Sequence, residues 1–253
     1  MSQTLRKNSP TQRFSDRVEN YVKYRPTYPP QILDFMRAQL GLNKDSVIVD
    51  VGSGTGISSE LFLSNGNTVY GVEPNASMRE AAELELKKYP RFRSQNGSAE
   101  ATGLPSGIAD FVIAAQAFHW FQLEQTKKEF RRLLKPKGRI LLLWNDRITS
   151  GFRFAEAYEN FIHHFALDYK QVTHKNVQDH HMRELLGEFQ IQHFSNYQEF
   201  DFDGLLGRVL STSYMPNTDH PGFADMKEAL NTLFTRHARD GRVRIEYDTQ
   251  LIY

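Results

Sequence analysis

Apolar positions in the first 145 residues follow two alternating periods. Short runs at 47–51, 68–72, 111–115 and 139–144 are aliphatic or β-branched at nearly every position, as in strands buried on both faces. Between them apolar residues recur every three or four positions. Ile32, Leu33, Phe35, Met36 and Leu40 mark a helix over 31–40, and Ile57, Leu61 and Phe62 mark one after residue 56. Ala76, Met78, Ala81, Ala82 and Leu86 mark a third over 76–88, and 123–134 reads as a fourth that stops at Lys135-Pro136-Lys137-Gly138. A further strand and turn fall at 92–100. Strands alternating with helices in this way predict an α/β domain built on a parallel sheet.

Beyond Asn145 the pattern changes. Residues 146–188 read as helices rich in Phe, Tyr and His, without a strand, an insertion suited to a substrate lid. Residues 190–203 alternate as a strand, 205–212 and 223–238 read as helices, and 241–253 closes the chain as a strand. At the other end, 1–13 is polar and expected to fray. Ser15 is placed to cap a short helix carrying Val18, Tyr21 and Val22, which Pro26, Pro29 and Pro30 then stop. The expected division is a lid or arm over 1–29, a core over 30–145, a helical insertion over 146–188, and strands and helices completing the sheet over 189–253.

Composition narrows the function. The chain has 253 residues, enough for one large domain or a domain with an inserted lid. Lys plus Arg (31) nearly balances Asp plus Glu (30), so no global field draws in nucleic acid or an anionic membrane. With no cysteine there is no disulfide, zinc-thiolate site or cysteine nucleophile. No apolar run approaches membrane-spanning length and the N-terminus lacks a signal-peptide core, so a soluble cytoplasmic protein is expected. The pairs His163-His164 and His180-His181 lack the i, i+4 spacing and nearby carboxylate of a helical metal site, and no metal is expected.

The candidate chemistry gathers at the end of the first strand. Asp50-x-Gly52-x-Gly54-x-Gly56, with Ser53 and Thr55 between the glycines, is a turn where backbone must approach something closely. Its spacing differs from the Gly-x-Gly-x-x-Gly of dinucleotide sites, and no Lys-Ser/Thr follows it, which excludes a P-loop. Glu73 ends the second strand about twenty residues further on, where a carboxylate can accept both ribose hydroxyls of an adenosine. Gln116, Ala117, Phe118, His119 and Trp120 follow the fourth strand and should rim the crevice beside the first.

Asp50–Gly56, Glu73, Gly97-Ser98-Ala99-Glu100, Leu104-Pro105, 115–121 and 133–138 together resemble a class I S-adenosylmethionine (SAM)-dependent methyltransferase across residues 30–145. Tyr21-x-x-Tyr24-Arg25-Pro26-x-Tyr28-Pro29, Ser211-Thr212-Ser213-Tyr214-Met215-Pro216 and the final strand are similar to the small-molecule branch that includes trans-aconitate methyltransferase-like proteins. The resemblance implies a Rossmann-like three-layer sandwich whose seven-stranded, mostly parallel sheet has an antiparallel last strand. It also implies in-line transfer of the SAM methyl to a carboxylate, hydroxyl or amine of a small molecule, releasing S-adenosylhomocysteine (SAH), with no metal. The cofactor would meet Gly52, Ser53, Gly54 and Gly56, with Asp50 orienting the loop or meeting the ammonium. Glu73 and Pro74 would serve the ribose side, Met78, Ser98 and Ala99 the adenine, and Gln116 the rim. His119 is either a base or orienting group, or a ring packed with Trp120. Tyr21 and Arg25 belong either to a lid that closes over the methionine end or an acidic acceptor, or to a docked arm. Two alternatives share the cofactor half: a non-catalytic SAM-binding protein, and a nucleic-acid methyltransferase, against which Ala114-Ala115-Gln116-Ala117 stands where an Asn/Asp-Pro-Pro-aromatic segment would be.

Overall fold

The computed structural model describes residues 18–167 and 179–253, so the expectations for 1–17, including Ser15 as a cap, and for 168–178 lie outside the described residues. Helices α1 (Val18–Tyr24) and α2 (Gln31–Leu40) precede the sheet. Then follow β1 (Val47–Val51), α3 (Ile57–Ser64), β2 (Thr68–Val72), α4 (Ala76–Glu85), β3 (Phe92–Gln95), β4 (Ala109–Ala115), a single 3₁₀ turn (Phe118–Trp120) and α5 (Leu123–Leu133). The second half holds β5 (Leu134–Arg147), α6 (Arg153–Phe165), α7 (Asp179–Leu186), β6 (Ile191–Phe200), α8 (Phe202–Leu210), α9 (Phe223–His237) and β7 (Val243–Ile252).

The strands form a seven-stranded sheet in the order β3-β2-β1-β4-β5-β7-β6, in which β7 runs antiparallel between β5 and β6 and the rest are parallel. The Rossmann-like three-layer fold is therefore present. The layers follow from strand alternation. Ile48, Phe111, Ile113, Leu141 and Leu143 point to the face covered by α2 and α3, while Val49, Val51, Val112, Ala114 and Leu142 point to the face covered by α5 and α7.

The structure shifts several sequence-based boundaries. The helix expected over 76–88 ends at Glu85, where Leu86 turns inward and is 2% exposed. The fifth strand runs past Trp144 to Arg147, because Leu142–Arg147 pair along Ile252–Tyr247 of β7. Within 146–188, α6 and α7 go to different places. Met182 and Leu185 of α7 pack on the sheet face beside Phe130 and Leu133 of α5. Tyr158, Phe161 and Ile162 of α6 join α8, α9 and β7 in a separate apolar cluster.

That cluster stands at the C-terminal edge of the parallel strands. Residues 243–246 of β7 and 197–200 of β6 pair with each other beyond the end of β5, and α6, α8 and α9 pack around this extension. It carries α8 to the mouth of the crevice between β1 and β4, the place where open α/β sheets bind ligands.

Candidate functional site

The loop after β1 is shaped by its three glycines, which stand at φ of +71° (Gly52), +56° (Gly54) and +86° (Gly56). Two of them are required by packing. A Cβ on Gly52 would lie 2.6 Å from the Cβ of Ala117, and one on Gly56 would lie 2.5 Å from Leu86 Cδ1. A Cβ on Gly54 would instead meet no described atom within 4 Å, and Gly54 lines the open cleft. Gly54 thus presents bare backbone to a ligand, which is the fit that a cofactor cradle requires.

Asp50 lies beneath this loop, fully buried on β1. Its Oδ2 accepts hydrogen bonds from Ser58 Oγ (2.6 Å) and Ser59 Oγ (2.7 Å) in the first turn of α3. Burial raises its pKa to about 6 against the pull of those two hydroxyls, and its Oδ1 has no hydrogen-bond partner among the described residues. Asp50 is absent from the residues that line the cleft. Its hydrogen bonds thus tie the end of β1 to the first turn of α3.

Glu73 faces the loop from the tip of β2. Its Oε2 accepts from Gly54 N (3.0 Å) and its Oε1 from Asn75 N (2.9 Å). Burial raises its pKa, partly offset by those two bonds and by Arg79. Asn75 in turn caps α4, accepting from Met78 N at 3.0 Å. Glu73, Pro74 and Met78 share one arm of the cleft with Gly52, Gly54, Gln116 and Phe121. Ser98 and Ala99 lie outside its walls: Ser98 N bonds Ala101 O at 3.1 Å, and Ala99 is buried in the core.

Gln116 lines both arms of the cleft at φ +55°, a strained conformation for a non-glycine residue and one that recurs at ligand sites. The His119 ring lies 4.7 Å from Trp120 and 5.6 Å from Trp144, centre to centre, and lines the second arm. Tyr21 lines both arms and Arg25 the second. The N-terminal segment is docked and lines the site at once. Tyr24 packs against Gly207 of α8 and Phe200, Arg25 Nη2 donates to Ser211 O (2.9 Å), and Asn145 Nδ2 donates to Thr27 O (3.2 Å).

Sequence reasoning missed Tyr28, Phe121, Asn145, Arg208, Tyr214 and Tyr247 in the walls. Arg208 had a readable signal. It sits between Leu205 and Val209 on the apolar stripe of α8, where a charge is out of place without a purpose. The others come from five separated segments that only folding brings together.

Sheet order, glycine loop and the carboxylate after β2 are arranged as in the class I SAM-dependent methyltransferase fold. Residues 49–142 match the family described as Methyltransferase domain. An uncharacterized methyltransferase of Schizosaccharomyces pombe is 33% identical over 138 residues, 54% of each chain. An uncharacterized methyltransferase of Mycobacterium tuberculosis is 31% identical over 134 residues, 53% of this chain and 52% of that protein. The chain spans about half the length of these curated relatives. A solved structure from Anaeromyxobacter dehalogenans, described as a type II methyltransferase, covers 90% of this chain and 97% of its own with a TM-score of 0.63 and 19% identity. Another from Anabaena variabilis, described as a methyltransferase from an antibiotic biosynthesis pathway, covers 92% and 99% with a TM-score of 0.61 and 21% identity. At those identities the likeness is one of fold.

Proposed function

We propose that the chain transfers the methyl group of SAM, in line, to a small-molecule acceptor and releases SAH. The observation that carries this reading is that the two arms adjoin: the one walled by Glu73, Pro74 and Met78 and the one walled by Arg25, His119 and Tyr214 share Tyr21, Gly52, Gly54, Ala115, Gln116 and Trp120 in their walls. Residues fit for an adenosine and residues fit for an acceptor thus share one crevice. Bound SAM supplies an electrophilic methyl on a sulfonium.

The protein's part is binding and orientation, which are worth up to about 7–11 kcal/mol for two well-held reactants. Glu73 would hold the ribose hydroxyls, and Met78 and Phe121 would flank the base. Gly52, Ser53, Gly54 and Gly56 form the cradle and Asp50 braces it. Tyr21 and the segment after it close the cleft against water. A carboxylate acceptor needs no base, whereas a hydroxyl or ammonium must lose a proton, and His119 is the imidazole in the wall placed to take it. Balanced charge over the chain favours a small acceptor over a nucleic acid.

Calorimetry tests the first half of this reading. SAM and SAH should bind with micromolar dissociation constants and NAD should not. Binding of NAD without SAM would overturn it.

A further inference from the structure

The second arm of the cleft ends between α1 and α8, and two arginines meet there. Arg208 is 7% exposed; its Nε donates to Tyr247 Oη (3.2 Å) and its Nη1 to Ser211 Oγ (3.4 Å). Arg25 reaches the same residue from the other side, its Nη2 donating to Ser211 O (2.9 Å) while its guanidinium lies 4.7 Å from the centre of the Tyr21 ring. The Nε of Arg25 is enclosed and has no hydrogen-bond partner among the described residues. Both side chains line the cleft. Neither forms an ion pair with a described carboxylate, whereas the third arginine of this wall, Arg147, is paired with Glu159. Among the described residues that line this arm, the one acid is Asp146.

Two guanidinium groups held together out of water repel each other, and arginine cannot shed its charge to relieve this. Burial and the neighbouring Arg208 both lower the pKa of Arg25. Tyrosine hydroxyls solvate the pair without neutralising it. Such an arrangement is stable in use when an anion completes it, and a planar carboxylate matches the guanidinium fork.

We propose that Arg25 and Arg208 form a carboxylate site for the methyl acceptor, gripping an acid group other than the atom that receives the methyl. This deepens the methyl-transfer reading and rests on it. A carboxylate whose lone pairs are held by two guanidinium groups is a poor nucleophile, so the gripped group serves as a handle. The reacting atom of the same molecule then faces the Gln116 and His119 side of the cleft. Arg208 becomes a specificity-determining residue, selecting organic acids over neutral molecules of the same shape.

The same chemistry has a second source, the amino-acid carboxylate of the cofactor, and the experiment separates the two. By calorimetry, the full chain is titrated with SAH and with 5′-methylthioadenosine, which lacks that carboxylate. The SAH-saturated protein is then titrated with glutarate, phthalate and benzoate and with their amides. At least one acid should bind while its amide does not. Arg208→Met and Arg25→Met should each weaken the acid tenfold or more and leave SAH affinity within threefold, and Arg208→Lys should recover part of the loss. Should Arg208→Met fail to fold by near-UV circular dichroism, Arg25→Met and Arg208→Lys carry the comparison. The proposal is overturned if no acid binds the SAH complex, if amides bind as well as acids, or if the variants lose affinity for SAH but keep it for methylthioadenosine. Wild-type protein that binds no SAH would instead sink the methyl-transfer reading itself.

Discussion

Asp50 and Glu73 are two acids of one site with opposite duties. Glu73 stands at the cleft and its two oxygens are tied to backbone amides that a ribose can replace. Glu73→Ala should weaken SAH binding by about 2–3 kcal/mol, the scale of lost charge-assisted hydrogen bonds, with the fold intact; calorimetry and circular dichroism read the two parts. Asp50 is buried and bonded to α3, and its cost depends on pH. Burial lifts it from 3.8 to about 6, so the folded state holds the proton more tightly than the unfolded chain. Stability is therefore highest from this group below about pH 4, falls as pH rises, and the loss, about 3 kcal/mol, is complete above about pH 6. Asn in its place keeps an oxygen for Ser58 and Ser59 but carries no charge. Urea unfolding of the ligand-free protein at pH 4.5 and pH 7 should show this component in the wild type and a flatter profile in Asp50→Asn.

Helices α1 and α8 depend on a single small residue. Gly207 lies mid-helix, where glycine costs roughly 1 kcal/mol relative to alanine, yet a Cβ there would fall within the ring of Tyr24. The glycine lets the tyrosine seat, and with it the segment that brings Tyr21 and Arg25 to the cleft. Gly207→Ala should lose about 1–3 kcal/mol by overpacking despite its better helix propensity, and tryptic cleavage after Lys23 should speed up. Adding Tyr24→Leu should restore most of the stability. A helix-stabilising response to Gly207→Ala alone would show that α1 is not seated in this way.

Across the molecule, the half of the cleft proposed for the cofactor and the half proposed for the acceptor come from different parts of the chain. Residues 47–121 build the first around β1, β2 and β4, and the β6–β7 extension with α6, α8 and α9 builds the roof of the second. The N-terminal segment joins them: Tyr28 is 8% exposed in the main core, and Asn196 Nδ2 donates to Thr27 O at 2.8 Å. Deleting residues 1–28 should lower the melting temperature and also cut turnover per folded molecule by tenfold or more, about 1.4 kcal/mol on the barrier. Thermal unfolding and single-turnover rates on an accepted substrate check this, and full turnover in the truncated protein would reduce the segment to a structural arm.

The sequence by itself determined the α/β alternation, the buried strands, the glycine loop and the acid after β2, because each is a local pattern within a few residues. Asp50, Gly52, Gly54 and Glu73 were legible for that reason. That Asp50 bonds the helix below depends on strand register against α3, and the path of the turn leaves Ser98 and Ala99 outside the walls of the cleft. Only tertiary structure decided that 146–188 divides between two layers, that the N-terminal segment is both docked and site-lining, and that Arg25 and Arg208 meet at Ser211. Those two arginines stand 183 positions apart in sequence (208 − 25), and their meeting at Ser211 depends on an antiparallel β6–β7 pair that outgrows the neighbouring β5. No local pattern encodes that distance.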